Sequence, residues 1–221
     1  QGAPQEGRDF KRVESPVPVP DGKVEVVEFF GYWCPHCNAF EPTLDAWVKK
    51  LPASVNFKRW PVAFNAAQEP AQRLYFAIEA LGLVDTLHRK VFAAMHVDHK
   101  RLDKDAEISE FATKNGVDPA KLMDAMKSFS VATKMRQARQ LSEGYRIEGV
   151  PTLGIHGRFM TSPSIAGSSE RALAVADALI AQAVADELGL FDRVLAGPTN
   201  EMWPSTAKSP PAPSTPQYTP P

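Results

Sequence analysis

Val24-Glu25-Val26-Val27-Glu28-Phe29-Phe30-Gly31-Tyr32-Trp33-Cys34-Pro35-His36-Cys37 carries a β-branched and aromatic run into the only two cysteines of a 221-residue chain. The run reads as a buried strand. Gly31-Tyr32-Trp33 turns the chain, and from Cys37 onward Phe40, Leu44, Trp47 and Val48 recur at helical spacing. The cysteines therefore stand at a strand-to-helix junction. Two cysteines so close in sequence enclose almost no loop, and a bridge between them restrains little chain. Such a pair is better suited to opening and closing. Cys34 precedes the helix, where unpaired N–H groups and the helix dipole favour an anion, and the thiolate is the nucleophile of disulfide exchange. Cys37 falls one turn inside and is expected to be the buried, resolving thiol.

The competing use of the pair is half of a zinc site. Zinc takes four ligands and no second CxxC exists, although His96 and His99 offer an HxxH pair. His36, between the cysteines, is placed to give a hydrogen bond or a charge to the Cys34 thiolate. Its plainer reading is a solvent-facing helix residue. His88, His96, His99 and His156 have no such context and read as surface residues, His156 at a hairpin tip. Glu28 is an acid in an apolar strand, on the same face as Val26 and Phe30. A buried carboxylate there would tune Cys37 or take its proton, and a structural ion pair is the alternative.

The bulk numbers set bounds. The chain is long enough for a substantial core. A formal net charge of −1 gives no sign of a nucleic-acid surface. No apolar run reaches the roughly 18 residues of a membrane span. The chain begins with Gln, which reads as a leader already removed.

Residues 1–8 are small and polar and are expected to be a flexible N-terminus. Residues 9–13 suit an edge strand, and Asp21-Gly22 a turn. The strand 24–30 and a helix over about 34–50 follow, with Pro42 inside the helix. A second strand runs over 55–62 and is cut short by Pro61. From 66 to 145 the pattern is helical throughout. Gly82 and Asn115-Gly116 end helices, Asp118-Pro119 starts one, and Leu122, Ala125, Met126 and Phe129 are expected to point inward. Residues 152–155 and 158–160 form a hairpin across His156-Gly157. A final amphipathic helix spans about 168–188. Residues 196–221 are rich in Pro, Ser and Thr and read as a disordered tail, its lone Trp203 a possible partner ligand.

Glu28-Phe29-Phe30, Cys34-Pro35-His36-Cys37 and Val150-Pro151-Thr152, with a helical block between, resemble the bacterial periplasmic thiol:disulfide oxidoreductases of the DsbA family. The resemblance covers about residues 10–190. It implies an α/β thioredoxin fold, residues 9–65 and 146–195, with an all-helical domain inserted at 66–145. It implies that Cys34, Pro35, His36 and Cys37 are catalytic. It makes Pro151 a cis-proline facing the cysteines, with Val150 offering its backbone to an extended substrate. It places Trp33, Phe40, Leu44, Phe64 and Pro163 around the redox centre as a substrate rim, or, for Phe40 and Leu44, as ordinary core. Arg59 stands where some relatives carry a lysine paired with the acid at Glu28. Arginine holds its charge more firmly, so a proton shuttle through the pair is put in question.

The function implied is a periplasmic thiol oxidase that passes the Cys34–Cys37 disulfide to reduced, unfolded secreted proteins. A quinone-linked membrane reoxidase of the DsbB type would restore it. No cofactor, no metal and no nucleic acid are called for, and a monomer is expected. The alternatives are a disulfide isomerase or reductase on the same fold and, in a different class, a metal-binding chaperone using the CxxC.

Overall fold

A computed structural model describes residues 2–195. The tail at 196–221, with Trp203, lies outside the described residues. Five strands form one sheet: β1 (Lys11–Arg12), β2 (Val24–Phe30), β3 (Val55–Pro61), β4 (Thr152–Ile155) and β5 (Phe159–Thr161), in the order β1-β5-β4-β2-β3. β2 pairs parallel with β3 and antiparallel with β4. The parallel step is made through α1 (Pro35–Val48), as a parallel pair requires a crossover.

All seven residues of β2 are buried, which is what a central strand covered on both faces demands. Alternation divides them. Val24 and Val26 pack with Phe40 and Leu44 of α1, with Leu153 and Ile155 of β4, and with Leu173 to Ala183 of α8 (Ser169–Leu195). Val27 and Phe29 face the other way, against Val13, Val62 and Tyr145. Phe30, at the strand's end, reaches a third cluster that contains both cysteines. Apart from Tyr32 and Leu102, its other buried members come from the five α-helices between β3 and β4: α2 (Glu69–Ala80), α3 (Val84–His96), α4 (Asp105–Lys114), α5 (Pro119–Met126) and α6 (Phe129–Gly144). A short helix, α7 (Pro163–Ala166), follows β5.

Local signals in the sequence act where expected. The Asp118 carboxylate accepts from Ala120 N at 2.9 Å, ahead of Pro119 at the first helical position of α5. The hairpin turns through His156 and Gly157, both with positive φ (51° and 68°), and Arg158 N donates to Ile155 O across it.

Two expectations are corrected. Phe129 does not point inward: it opens α6 and is 81% exposed, its ring under Arg136. His156 is not a surface tip. Its main chain donates to Glu25 O and its Nδ1 accepts from Glu25 N, which draws the ring into the protein. Near the N-terminus Asp9 N donates to Gln5 O in a turn, and Arg171 donates to Gly2 O.

Candidate active site

Cys34 is the last extended residue before α1 (φ −89°, ψ 119°), and Pro35 occupies the first helical position, where its missing N–H would have had no partner. Cys34 N donates to Gly31 O at 3.0 Å, and Asn38 N returns to Cys34 O at 3.1 Å, the first turn of helix. Gly31 cannot carry a side chain, because the Trp33 indole folds back over it. The free N–H groups of the first turn therefore converge on the sulfur of Cys34.

Both cysteines are thiols in the structure, and their surroundings differ. Cys34 is drawn down from the ordinary thiol value of 9.0 to about 6. The largest cause is the hydrogen bond from the Cys37 thiol. Burial works against it, and the N–H groups of Cys37 and His36 assist, followed by the charge of His36. The charge of His36 is thus one contributor and the last in rank. Cys37 is completely buried, and its thiol is pushed far up by that burial, by its hydrogen bond to Cys34 and by the negative charge of Glu28.

The Val150–Pro151 bond is cis, and the Val150 carbonyl lies 3.6 Å from Cys34 Sγ, which donates to it. Beside them opens a cavity of about 770 Å³ lined by His36, Phe40, Val150, Pro151, Met160 and Pro163, among others. Phe64 faces a different cavity, of about 830 Å³, with Arg73 and Arg139. It is half exposed and meets the edge of the Trp33 ring at 5.9 Å. The expected rim is therefore divided between two cavities, which share Arg146, Ile147 and Glu148. Leu44 belongs to neither. It is fully buried between the sheet and α8, with no surface to offer a substrate, and Phe40 keeps only 1% of its own.

Beneath Cys37 lies a charged floor. Glu28 and Arg59 are direct neighbours in the parallel β2–β3 ladder, with Arg59 Nε 3.4 Å from Glu28 Oε2. Arg59 Nη2 donates to Glu41 Oε1 at 2.7 Å. Burial, then the charge of Glu41, raises the Glu28 carboxyl from 4.5 to about 8, although Arg59 pulls the other way. Glu28 is therefore mostly protonated at neutral pH. The sequence reading named Glu28 and Arg59 but missed Glu41, one helical turn beyond Cys37. It also read His88 as surface. His88 is buried, with Nδ1 2.6 Å from the Tyr32 hydroxyl and Nε2 3.4 Å from Glu41 Oε1. His96 is half-buried, bonded to the Tyr32 carbonyl. The signal was available: His88, Phe92 and His96 recur every four residues, on one helix face.

Among the described residues no group of three or more His, Cys, Asp or Glu is placed to share a metal ion, and no helix is long and apolar enough to cross a membrane.

Chemically, a low thiol beside a high one, next to an open cavity and the Val150 carbonyl, is fit for thiol–disulfide exchange with an extended peptide. Comparison with known proteins agrees. The family model of the DSBA-like thioredoxin domain matches residues 25–179. The thiol:disulfide interchange protein DsbA of Bordetella parapertussis is 45% identical over 184 residues, 82% of this chain and 86% of that protein. The protein of the same name from Pseudomonas aeruginosa is 39% identical over 175 residues, 79% of this chain and 83% of that one. The crystal structure of Pseudomonas aeruginosa DsbA superposes with a TM-score of 0.80 at 38% identity, covering 82% of this chain and 95% of the other. The chain belongs to the DsbA family of thioredoxin-fold thiol:disulfide oxidoreductases.

Proposed function

We propose that the chain works as a protein thiol oxidase of the periplasm, donating the Cys34–Cys37 disulfide to reduced, unfolded secreted proteins. The observation that carries this direction is the opposite treatment of the two sulfurs. In the donating step a substrate thiolate attacks Cys34 Sγ and the Cys34–Cys37 bond breaks. Cys37 leaves and takes a proton, which its surroundings favour strongly. A second substrate thiolate then attacks the substrate sulfur of the mixed disulfide and expels Cys34 as a thiolate. The low pKa of Cys34 makes it a good leaving group. The substrate gains a disulfide, and the two electrons remain on Cys34 and Cys37 as thiolate and thiol.

No bound cofactor is needed, because the sulfur pair is the reagent. Both cysteines, the cis-proline and the cavity come from one chain, so a monomer suffices. Return to the disulfide calls for an electron acceptor, which we assign to a quinone-linked membrane partner of the DsbB type. The cavity beside His36 and Pro151 is the surface on which an extended segment of substrate or partner would lie, its backbone meeting Val150.

The test is the equilibrium of the pair with reduced and oxidised glutathione, together with turnover of a reduced, unfolded model protein by the oxidised form. An oxidase equilibrates far more oxidising than thioredoxin and oxidises the model protein stoichiometrically. A thioredoxin-like equilibrium would make the chain a reductase on the same fold.

A further inference from the structure

The residue two places before Cys34 is held at both ends by one helix. His88, Phe92 and His96 form a stripe along α3, and the Tyr32 side chain sits against it, ring centroids 5.2 Å from His88 and 4.9 Å from Phe92. The Tyr32 hydroxyl is 2.6 Å from His88 Nδ1, and the Tyr32 carbonyl is 2.6 Å from His96 Nε2. A carbonyl only accepts, so His96 donates from Nε2. His88 Nε2 faces the Glu41 carboxylate at 3.4 Å, and burial favours its neutral ring. A proton on the nitrogen facing the carboxylate leaves Nδ1 as an acceptor, so Tyr32 donates to it. Glu41 is fixed in turn by Arg59.

This arrangement acts on the geometry of the redox pair. The loop from Gly31 to Cys34 is closed by the Cys34 N to Gly31 O bond, and Tyr32 and Trp33 are the residues inside it. Where Tyr32 is held decides where Cys34 Sγ lies relative to the N–H groups of His36 and Cys37. Hydrogen bonds weaken steeply with misalignment, so a small displacement of Sγ changes how well the thiolate is held.

We propose that His88 and His96 are positioning residues for the Cys34–Cys37 pair. Acting through the side chain and main chain of Tyr32, they set how strongly the Cys34 thiolate is favoured. Through them, the helical segment between β3 and β4 tunes the exchange chemistry carried by the loop before α1. The proposal rests on the exchange chemistry of the pair, not on its direction.

The experiment measures the equilibrium constant with glutathione, and the pH midpoint of Cys34 ionisation by thiolate absorbance, in His96→Leu, His96→Gln and Tyr32→Phe. His96→Leu removes the bond to the carbonyl and should shift the equilibrium towards the disulfide by about fivefold, the scale of one lost hydrogen bond. The Cys34 midpoint should rise with it. His96→Gln keeps a donor and should return most of that shift. Tyr32→Phe keeps the ring packing, loses only the bond to His88, and should shift both quantities in the same direction. A merely structural role would lower the melting temperature of these variants and leave both quantities unmoved, and that result overturns the proposal. If His96→Leu does not fold, Tyr32→Phe decides alone, and an unmoved midpoint and equilibrium there are fatal. Failure of the unaltered protein to exchange with glutathione at all would defeat the exchange reading instead.

Discussion

On its open side, the first turn of α1 gives Cys34 two backbone N–H groups, the Val150 carbonyl and a cavity of about 770 Å³. On its inner side it gives Cys37 a buried carboxylate and the aromatic core of the helical segment. One turn of helix separates the two sulfurs, and that turn is enough to send the same group in opposite directions. The open side stabilises charge with dipoles fixed by the fold. The inner side opposes charge by excluding water, and it opposes the carboxylate of Glu28 as well as the thiol of Cys37. Proximity in sequence therefore says little about how a thiol behaves. What decides is whether hydrogen-bond donors, the Cys37 thiol first and then the backbone N–H groups, or desolvation dominates at the sulfur.

The bluntest way to break the comparison is to remove one sulfur at a time. Cys34→Ser should abolish exchange with a reduced model protein, since the buried Cys37 has no path to it. Cys37→Ser should keep the reactive thiol and lose its resolution, so mixed disulfides through Cys34 accumulate and are seen as mass adducts. Equal trapping by the two variants would mean that the two sides are not distinct.

The inner side is tested by pH. The folded pKa of Glu28 is raised from 4.5 to about 8, so the stability it permits is fully present below 4.5 and is lost as pH rises through 8. Glu28→Gln is neutral at every pH and escapes that loss. The variant should match the parent near pH 5 and exceed it near pH 9 by about 3 kcal/mol, below the ceiling of ~1.36 kcal/mol per unit because relaxation and water penetration soften the burial of the ionised carboxylate. Urea unfolding of the oxidised forms at the two pH values measures this. A constant difference between parent and variant would mean that Glu28 is already ionised in the fold.

The open side gives the opposite sign. The folded pKa of Cys34 is depressed to about 6, so its contribution to the reduced form is present above 9.0 and is lost as pH falls through 6. The oxidised form has no such thiol. The stability of the reduced form relative to the oxidised one should therefore grow between pH 6 and 8, by about 1–2 kcal/mol once solvent at the cavity rim has screened part of the effect. Denaturant unfolding of both redox forms reads it directly. A margin that does not grow across this window would mean that neither the Cys37 thiol nor the N–H groups of the first turn hold the thiolate.

Much of the fold was legible because it is written locally. The buried run 24–30, the cysteines at a helix start, Asp118-Pro119 and His156-Gly157 each specify their own backbone. The open side of the site was legible for the same reason: Cys34, His36, Val150 and Pro151 belong to short motifs. The inner side was not, because it is assembled from distant segments. His88 and His96 looked like surface residues until α3 laid them against Tyr32, 56 residues away in the case of His88. Glu41 needed the helix phase after Cys37 and the ladder register of Arg59 together. Leu44 was set on the rim by the resemblance, with ordinary core as the alternative, and its packing with α8 assigns it to the core.

The smallest expected effect sharpens the account of the open side itself. His36 is exposed, and its charge ranks last among the influences that lower Cys34, behind the Cys37 thiol and the two backbone N–H groups. His36→Ala keeps the backbone N–H and removes only the side chain. The Cys34 midpoint should rise, remain well below 9.0, and shift the reduced-over-oxidised margin by about 0.5 kcal/mol, the scale of an exposed charge pair. Salt separates the two kinds of stabilisation. At 0.15 M ionic strength the screening length is about 8 Å, and at 1 M about 3 Å, so the contribution of His36 should fade as salt rises. The backbone N–H groups and the Cys37 thiol act at hydrogen-bond contact and should not fade. Titrating Cys34 in parent and variant at both salt concentrations gives four midpoints. The two proteins should differ at low salt and converge at high salt, with both still below 9.0. A difference that survives high salt would make His36 a direct partner of the thiolate, not a distant charge.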